Sequence, residues 1–320
     1  MSVQDLSASN ALHISNVSKR NKQAFTLKDI ELKIEKGEIF GILGSEDDGR
    51  CELMRVIAGV DAPSHGTVIA LSGAKIDLID LNEPVNSGFK LFGGKEKGRS
   101  HFEKVSAQLD NSSADIIVID NILAPLTTNE RLSVIAKIKD LNARSKTIVL
   151  GSSRFLDIAA LCGRLTVLLN GVAERVDTVQ SVYDRPQSAG VAMATGRINL
   201  FDARRLTSTN ETIPEFFSIV GEHRLYGAVT EKNALGAINQ TIKLGIRPEH
   251  VSISTGASFP EDNLLKAVVE EIRFLGATTA VKLNANGLVI ESRSPRIVGL
   301  NVGDECMIAM PPSLIQVFRS

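Results

Sequence analysis

Eight residues constrain this chain more than any others: Gly44-Ser45-Glu46-Asp47-Asp48-Gly49-Arg50-Cys51. They lie between an apolar strand, Glu38-Ile39-Phe40-Gly41-Ile42-Leu43, and a run of helical periodicity from Cys51 to Ala58. Strand, glycine-flanked loop and helix in that order, with the spacing G-x-x-x-x-G-K-[ST], predict a sheet whose strand end delivers a phosphate-binding loop to a helix N-terminus. A working loop of this kind presents backbone N–H groups, a Lys for the β and γ phosphates and a hydroxyl for Mg²⁺. Here Arg50 takes the Lys position and Cys51 the hydroxyl position, while Glu46, Asp47 and Asp48 put carboxylates where phosphates would lie. At a few ångströms and an effective dielectric near 20, each carboxylate repels a phosphate charge by roughly 2–4 kcal/mol. The loop has kept its length and lost its chemistry. Read locally it is an acidic strand-to-helix turn, with Arg50 and the helix N-terminus leaving positive potential for residual nucleotide binding.

The rest of the first half alternates short apolar strands with helical segments, the pattern of a mainly parallel sheet covered by helices. Ala11-Leu12-His13-Ile14 and Ile30-Glu31-Leu32-Lys33-Ile34 read as an antiparallel pair ahead of the loop. Ile116 to Asp120 is a buried strand ending in a carboxylate, Ser100 to Leu109 and Arg131 to Leu141 are helical, and Thr147 to Leu150 is the next strand. Leu165 to Leu169 followed by Asn170-Gly171 reads as strand and turn, and Tyr183 to Gly196 as a helical connector. From Ile198 the texture changes to short alternating strands such as Thr241–Ile246, Thr278–Leu283 and Leu288–Glu291, the pattern of a small β-barrel-like domain. The expectation is an α/β domain over residues 1–196 and an all-β domain over 197–320, a division that 320 residues readily support.

With 36 basic and 37 acidic residues the chain is near neutral, which argues against nucleic acid or an anionic membrane surface as partner. The tract Lys90, Lys95, Lys97, Arg99 carries no aromatic stacking platform and reads as a solvated loop. Cys51, Cys162 and Cys306 are odd in number and far apart, which suits a reducing compartment. The histidines lack metal-ligand spacing. No apolar run approaches the roughly 20 residues that span a bilayer, and the N-terminus carries no export signal, so a membrane link is expected to run through partners.

At this point the residues resemble a family, the ATP-binding subunits of ABC importers, in the carbohydrate and polyol branch typified by the maltose-importer ATPase. Leu32-Lys33-Ile34-Glu35-Lys36-Gly37-Glu38 and Ile57-Ala58-Gly59-Val60-Asp61-Ala62-Pro63-Ser64-His65-Gly66 look like that family's framework around the loop, and Ala114 to Asp120 looks like its Walker B strand. Tyr183-Asp184-Arg185-Pro186, Gly196 to Phe201, and most specifically Leu244-Gly245-Ile246-Arg247-Pro248-Glu249-His250 are similar to its connector and appended domain. The resemblance implies an α/β P-loop NTPase core of the RecA-like, ABC type, followed by a small OB-like regulatory domain of the TOBE or MOP type.

Carried over by position, the resemblance leaves the nucleotide site depleted. Gly44, Gly49, Arg50 and Cys51 are the phosphate loop, and Asp120 is the Walker B carboxylate, which holds Mg²⁺ weakly or caps a strand end. Asn121 stands where a Glu polarises the attacking water; an amide holds a water but does not accept its proton. Ser153 occupies the switch-His position, Thr127 the D-loop Asp position, and Asn21 the place of the aromatic that stacks on adenine. Between Gly66 and Asp120 the family carries a Q-loop, a helical subdomain and a signature L-S-G-G-Q in a stretch longer than the one present here. Leu91-Phe92-Gly93-Gly94-Lys95 reads as a glycine-rich turn or as a signature remnant with Phe92 replacing the serine. The core is therefore expected to lack most of the helical subdomain.

The resemblance implies a non-catalytic or weakly catalytic subunit on the cytoplasmic face, with ATP and Mg²⁺ binding weak or absent. Its partners would be a second ATP-binding subunit, as a heterodimer rather than a homodimer, two transmembrane permeases and, indirectly, a substrate-binding protein, for transport of a sugar or a polyol such as glycerol. The alternatives are a stand-alone regulatory module derived from such a subunit, and an active ATPase with a divergent site.

Overall fold

The first two strands set the pattern of the N-terminal unit. β1 (Asn10–Asn21) and β2 (Ala24–Glu35) pair antiparallel with Leu12 opposite Ile34 and Ile14 opposite Leu32. Alternation along them buries Leu12, Ile14, Leu27, Ile30, Leu32 and Ile34 on one face, while the charged residues between the β2 positions stay in solvent. The molecule is seen in a computed structural model that describes residues 9–21, 24–80, 100–207, 214–227, 237–254, 263–297 and 299–318. The segment Leu91–Lys95 and the tract Lys90 to Arg99 lie outside the described residues.

In chain order the unit continues with β3 (Ile39–Leu43), α1 (Arg50–Ile57), β4 (His65–Ala70), β5 (Ile76–Asp80), α2 (His101–Asn111), β6 (Ile116–Asp120), α3 (Thr128–Ala143), β7 (Thr147–Ser152), α4 (Phe155–Leu161), β8 (Arg164–Leu169), β9 (Val172–Ala173) and β10 (Asp177–Thr178). β4 pairs with the free edge of β1, giving a small antiparallel sheet in the order β2-β1-β4. The main sheet runs β10-β8-β3-β7-β6-β5, with β3, β5, β6, β7 and β8 mutually parallel. β3, β6 and β7 are buried at every residue, as their uninterrupted apolar runs require of strands covered on both faces. Because these strands are parallel, their C-terminal ends share one edge. The segments beginning at Gly44, Asn121 and Ser153 all leave the sheet there, which is where open α/β sheets form their sites. Among the described residues no helix is long and apolar enough to cross a membrane.

α2 begins at Ser100, whose hydroxyl accepts from the Glu103 N–H at 3.2 Å while the Glu103 carboxylate accepts from the Ser100 N–H at 2.8 Å, a reciprocal cap. Asn170 and Gly171 both have positive φ, at 50° and 78°, as a two-residue hairpin between β8 and β9 requires. Sequence periodicity did not reveal β4, β5 or α4: the first two are short and half-exposed, and α4 has only seven residues.

Compact units divide between Val182 and Tyr183, not at 196, so the connector belongs with the second unit. The physical reason is Arg247, which is 1% exposed. Its Nη1 donates to Ala192 O at 3.0 Å and Arg197 O at 3.3 Å, and its Nη2 to Tyr183 O at 2.9 Å and Thr195 Oγ1 at 2.8 Å. The guanidinium also lies 3.9 Å from the centre of the Tyr183 ring, whose hydroxyl donates to Glu249. One planar fork thus ties together the carbonyl ends of α5 (Val179–Asp184) and α6 (Ala189–Thr195).

The rest of the second unit is built of β-strands, with two 3-10 turns at Pro248–His250 and Pro312–Leu314. One five-stranded sheet contains β11 (Asn199–Arg205), β12 (Glu215–Ser218), β13 (Arg224–Tyr226), β14 (Thr241–Ile246) and β20 (Gln316–Phe318), in the order β13-β12-β11-β14-β20. The other contains β15 (Ser252–Ser254), β16 (Asn263–Phe274), β17 (Thr279–Ala285), β18 (Leu288–Ser294) and β19 (Glu305–Met310), in the order β15-β19-β16-β17-β18. Their inner faces share one core that includes Phe216, Leu244, Ile246, Val281, Leu283, Ile290 and Ile308.

Candidate functional site

β3 delivers the loop to the shared sheet edge, and steric demands retain its glycines whether or not a phosphate binds. Gly49, the N-cap of α1, has φ 87°, and a Cβ there would lie 2.5 Å from the Thr26 carbonyl oxygen. A Cβ on Gly44 would lie 3.1 Å from the Leu168 carbonyl oxygen. Glycine at 49 is therefore a packing requirement of this fold, separable from ligand binding, while at 44 a side chain would make a tight contact.

Arg50 is the first residue of α1, and its side chain turns back beneath the loop. Its Nε donates to the Gly44 carbonyl at 2.9 Å, and its Nη1 forms an ion pair with Asp120 Oδ1 at the end of β6. The two side chains are only 1% and 4% exposed. Gly151, on the adjacent strand, makes room for the carboxylate, because a Cβ there would lie 2.6 Å from Asp120 Oδ1. Arg50 Nη2 also reaches the Cys51 sulfur at 3.6 Å. Burial pushes the Cys51 thiol up; nearby Arg50 opposes this, while Glu46, Asp80 and Glu52 add to it, so the sulfur is a protonated group at neutral pH and a poor metal ligand.

Asp48 closes the other side of the loop. Its Oδ2 accepts from the Ser45 hydroxyl at 2.6 Å and the Ser45 N–H at 3.0 Å, and its Oδ1 accepts from the Asn170 N–H at 2.9 Å. The Asp48 carbonyl accepts from the Gly171 N–H at 3.1 Å, which ties the loop to the β8–β9 turn. Burial alone would raise the Asp48 carboxyl, but the hydrogen bonds from Ser45 and Asn170 outweigh it and hold the group below the usual carboxylate range. A depressed folded value contributes stability above the unfolded pKa of about 3.9 and loses it as pH falls through the folded value. Urea midpoints of the wild type should therefore exceed those of Asp48→Asn at pH 6, with the gap closing as pH drops below about 4. Glu46 and Asp47 are exposed at the mouth of the loop.

The adjacency of β6 and β7 brings Asn121 and Ser153 together. Asn121 has φ 49°, its N–H donates to Gly151 O at 2.9 Å, and its Oδ1 lies 3.4 Å from Ser153 Oγ and 3.5 Å from Ser153 N. An amide and a hydroxyl at this place can orient a water, but neither takes its proton at neutral pH. Thr127 starts α3 in a capping box with Glu130, and Asn21 is exposed at the end of β1.

Two further features were not legible in the motif reading. Asp80 ends β5 in register with Asp120, so a second carboxylate, 9% exposed, stands beside the first. Asp157, 1% exposed, accepts from Ser152 Oγ at 3.0 Å and from Arg131 Nη1 at 2.6 Å, and Arg131 Nη2 donates to Leu123 O at 3.0 Å. This network holds the segments after β6 and β7 in place. The sequence signal for Asp80 was the short apolar run Ile76-Asp77-Leu78-Ile79-Asp80, which ends in a carboxylate as Ile116 to Asp120 does.

Residues 244–318 match the family model of the TOBE domain. The chain is 25% identical to the glucose import ATP-binding protein GlcV of Saccharolobus solfataricus, with 96% of this chain and 98% of that protein covered. It is also 25% identical to the molybdate/tungstate import ATP-binding protein WtpC of Pyrococcus horikoshii, covering 96% and 99% of the two chains. Its identity to the spermidine/putrescine import ATP-binding protein PotA of Protochlamydia amoebophila is 23%, covering 82% and 83%. The chain is related to the ATP-binding subunits of ABC importers, and its last domain is a TOBE domain. The TOBE match begins within β14, at the Leu244–His250 segment that carried the most specific resemblance, and takes in the second five-stranded sheet. The comparison with GlcV runs over 361 positions, more than the 320 residues of this chain, so that relative has residues with no counterpart here.

Proposed function

We propose that this chain is a non-catalytic subunit of an ABC importer, seated beside a second ATP-binding subunit with an intact site, beneath two permeases on the cytoplasmic face of the membrane. The observation that carries the reading is the buried Arg50–Asp120 ion pair: the group in the Lys position spends its charge on the carboxylate that would otherwise organise Mg²⁺. Asn121 and Ser153 add to it, since the pair that would activate water offers no base. A heterodimer follows because composite ATP sites of this family draw on both subunits, and a chain without its own chemistry needs an active partner.

That β5 and α2 are the elements between β4 and β6 among the described residues agrees with a core lacking most of the helical subdomain. Relatives named for glucose, polyamine and molybdate or tungstate import span several solute classes. The resemblance to the carbohydrate branch, together with GlcV, favours a sugar or polyol, glycerol among them.

Affinity purification of the tagged chain at native level from gently solubilised membranes, followed by mass spectrometry, is expected to recover two permeases and a second ATP-binding subunit. ATP hydrolysis by that complex should be unaffected by Arg50→Met/Asp120→Leu in this chain, which removes the buried pair without leaving an unpaired charge. Recovery from the soluble fraction alone would replace the importer reading with a regulatory module, and an ATPase rate of the purified chain abolished by Arg50→Met/Asp120→Leu would overturn the non-catalytic assignment.

A further inference from the structure

A phosphate loop normally needs two ligands from outside: an anion on its donors and a divalent cation on the carboxylate of the neighbouring strand. This chain supplies both charges itself. The Asp48 carboxylate holds the Ser45 N–H, the Ser45 hydroxyl and the Asn170 N–H, and the Arg50 guanidinium holds Asp120. We infer that the loop is self-liganded, with Asp48 in the place of a phosphate and Arg50 in the place of the cation, so that it keeps one closed conformation whether or not nucleotide is present. The inference rests on the non-catalytic reading and adds to it the state in which the subunit is held.

Magnesium-bound triphosphate does not fit this arrangement. To reach Asp120 a cation would have to expel Arg50, a side chain 1% exposed whose Nε also anchors the Gly44 carbonyl. A phosphate would meet the Asp48 charge, already held by Ser45 of the loop and by the Asn170 N–H of the adjacent turn, and Cys51 offers no hydroxyl. A ligand shifts a conformational equilibrium only by its differential affinity for the two states, and a loop whose charges are internally matched leaves nucleotide little to select. The partner subunit would therefore meet a fixed surface throughout its own cycle.

Thermal unfolding of the full-length protein with MnCl₂ alone and with Mg·ATP tests this. The wild-type midpoint should not move with either. Arg50→Ala should melt lower, and MnCl₂ at about a hundred times its dissociation constant should raise that midpoint by roughly 5–10 °C, because a cation then enters beside Asp120 and Asp80. Arg50→Met/Asp120→Leu, which removes both charges, should fold and ignore MnCl₂. Asp48→Ser/Arg50→Lys/Cys51→Ser should gain a Mg·ATP shift, and it keeps the inference testable if Arg50→Ala does not fold. A wild-type rise with Mg·ATP would overturn self-liganding, as would a triple variant indifferent to Mg·ATP or an Arg50→Ala protein that folds and ignores MnCl₂. If these fail while the wild type still shows no turnover, only the self-liganded state is lost; measurable turnover removes the non-catalytic reading on which it stands.

Discussion

Arg50→Ala is expected to destabilise the first unit by about 3–5 kcal/mol, because it leaves the Asp120 carboxylate buried without its counter-charge. The Gly44 carbonyl also loses its Nε donor. Removing both charges is a different experiment. Buried ion pairs gain little over well-packed apolar groups, so Arg50→Met/Asp120→Leu should lie near wild-type stability. The contrast between single and double substitution measures the coupling directly. With urea m-values of about 1–3 kcal/mol/M, the single variant's midpoint should fall by at least about 1 M. Far-UV circular dichroism is the appropriate probe, because the chain has no Trp and its two tyrosines, Tyr183 and Tyr226, both belong to the second unit. Tyrosine fluorescence should therefore report an unchanged second transition.

Arg247→Met should produce the converse result. Met keeps much of the buried volume and removes five donors, leaving Ala192 O, Arg197 O, Tyr183 O and Thr195 Oγ1 without their arginine partner. Each such group costs about 1–3 kcal/mol when buried without a replacement, and Thr195 retains bonds of its own to Val191 O and Ala192 O, so a total loss of about 3–5 kcal/mol is expected. The cation–π contact with Tyr183 is lost as well. Arg247→Lys should recover little, since a single ammonium cannot reproduce a planar fork that reaches four acceptors. Here tyrosine fluorescence should shift to lower urea, while the transition of the first unit stays in place. If Arg247→Lys matches the wild type, the fork does not hold the connector.

Motifs that depend on local chemistry were legible in the residues. The strand–loop–helix order around Gly44 to Cys51, the antiparallel pair β1–β2, the Asn170-Gly171 turn and the change of texture after Ile198 all appear in the structure near their expected places. Elements whose signal is weak or non-local were not. β5 is short and half-exposed, yet pairing with β6 brings Asp80 beside Asp120. The unit boundary moved from 196 to 182 because Arg247, some 60 residues further along the chain, captures the ends of α5 and α6. Asp157 and Arg131 meet only because α4 packs beside α3.

The sequence by itself put Arg50 and Cys51 at the Lys and hydroxyl positions of the G-x-x-x-x-G-K-[ST] spacing, and the family resemblance implied that Asn121 and Ser153 stand at the Glu and His positions. It also showed three carboxylates in the loop, where simple electrostatics predicts repulsion of a phosphate. Only the tertiary structure decided where those charges go. Asp48 bonds Ser45 of its own loop and the Asn170 N–H of the β8–β9 turn, Glu46 and Asp47 remain in solvent, and Arg50 folds under the loop to Asp120. Side-chain charges find their partners through the register of parallel strands distant in sequence, and desolvation at the sheet edge makes an unpaired choice too costly to persist.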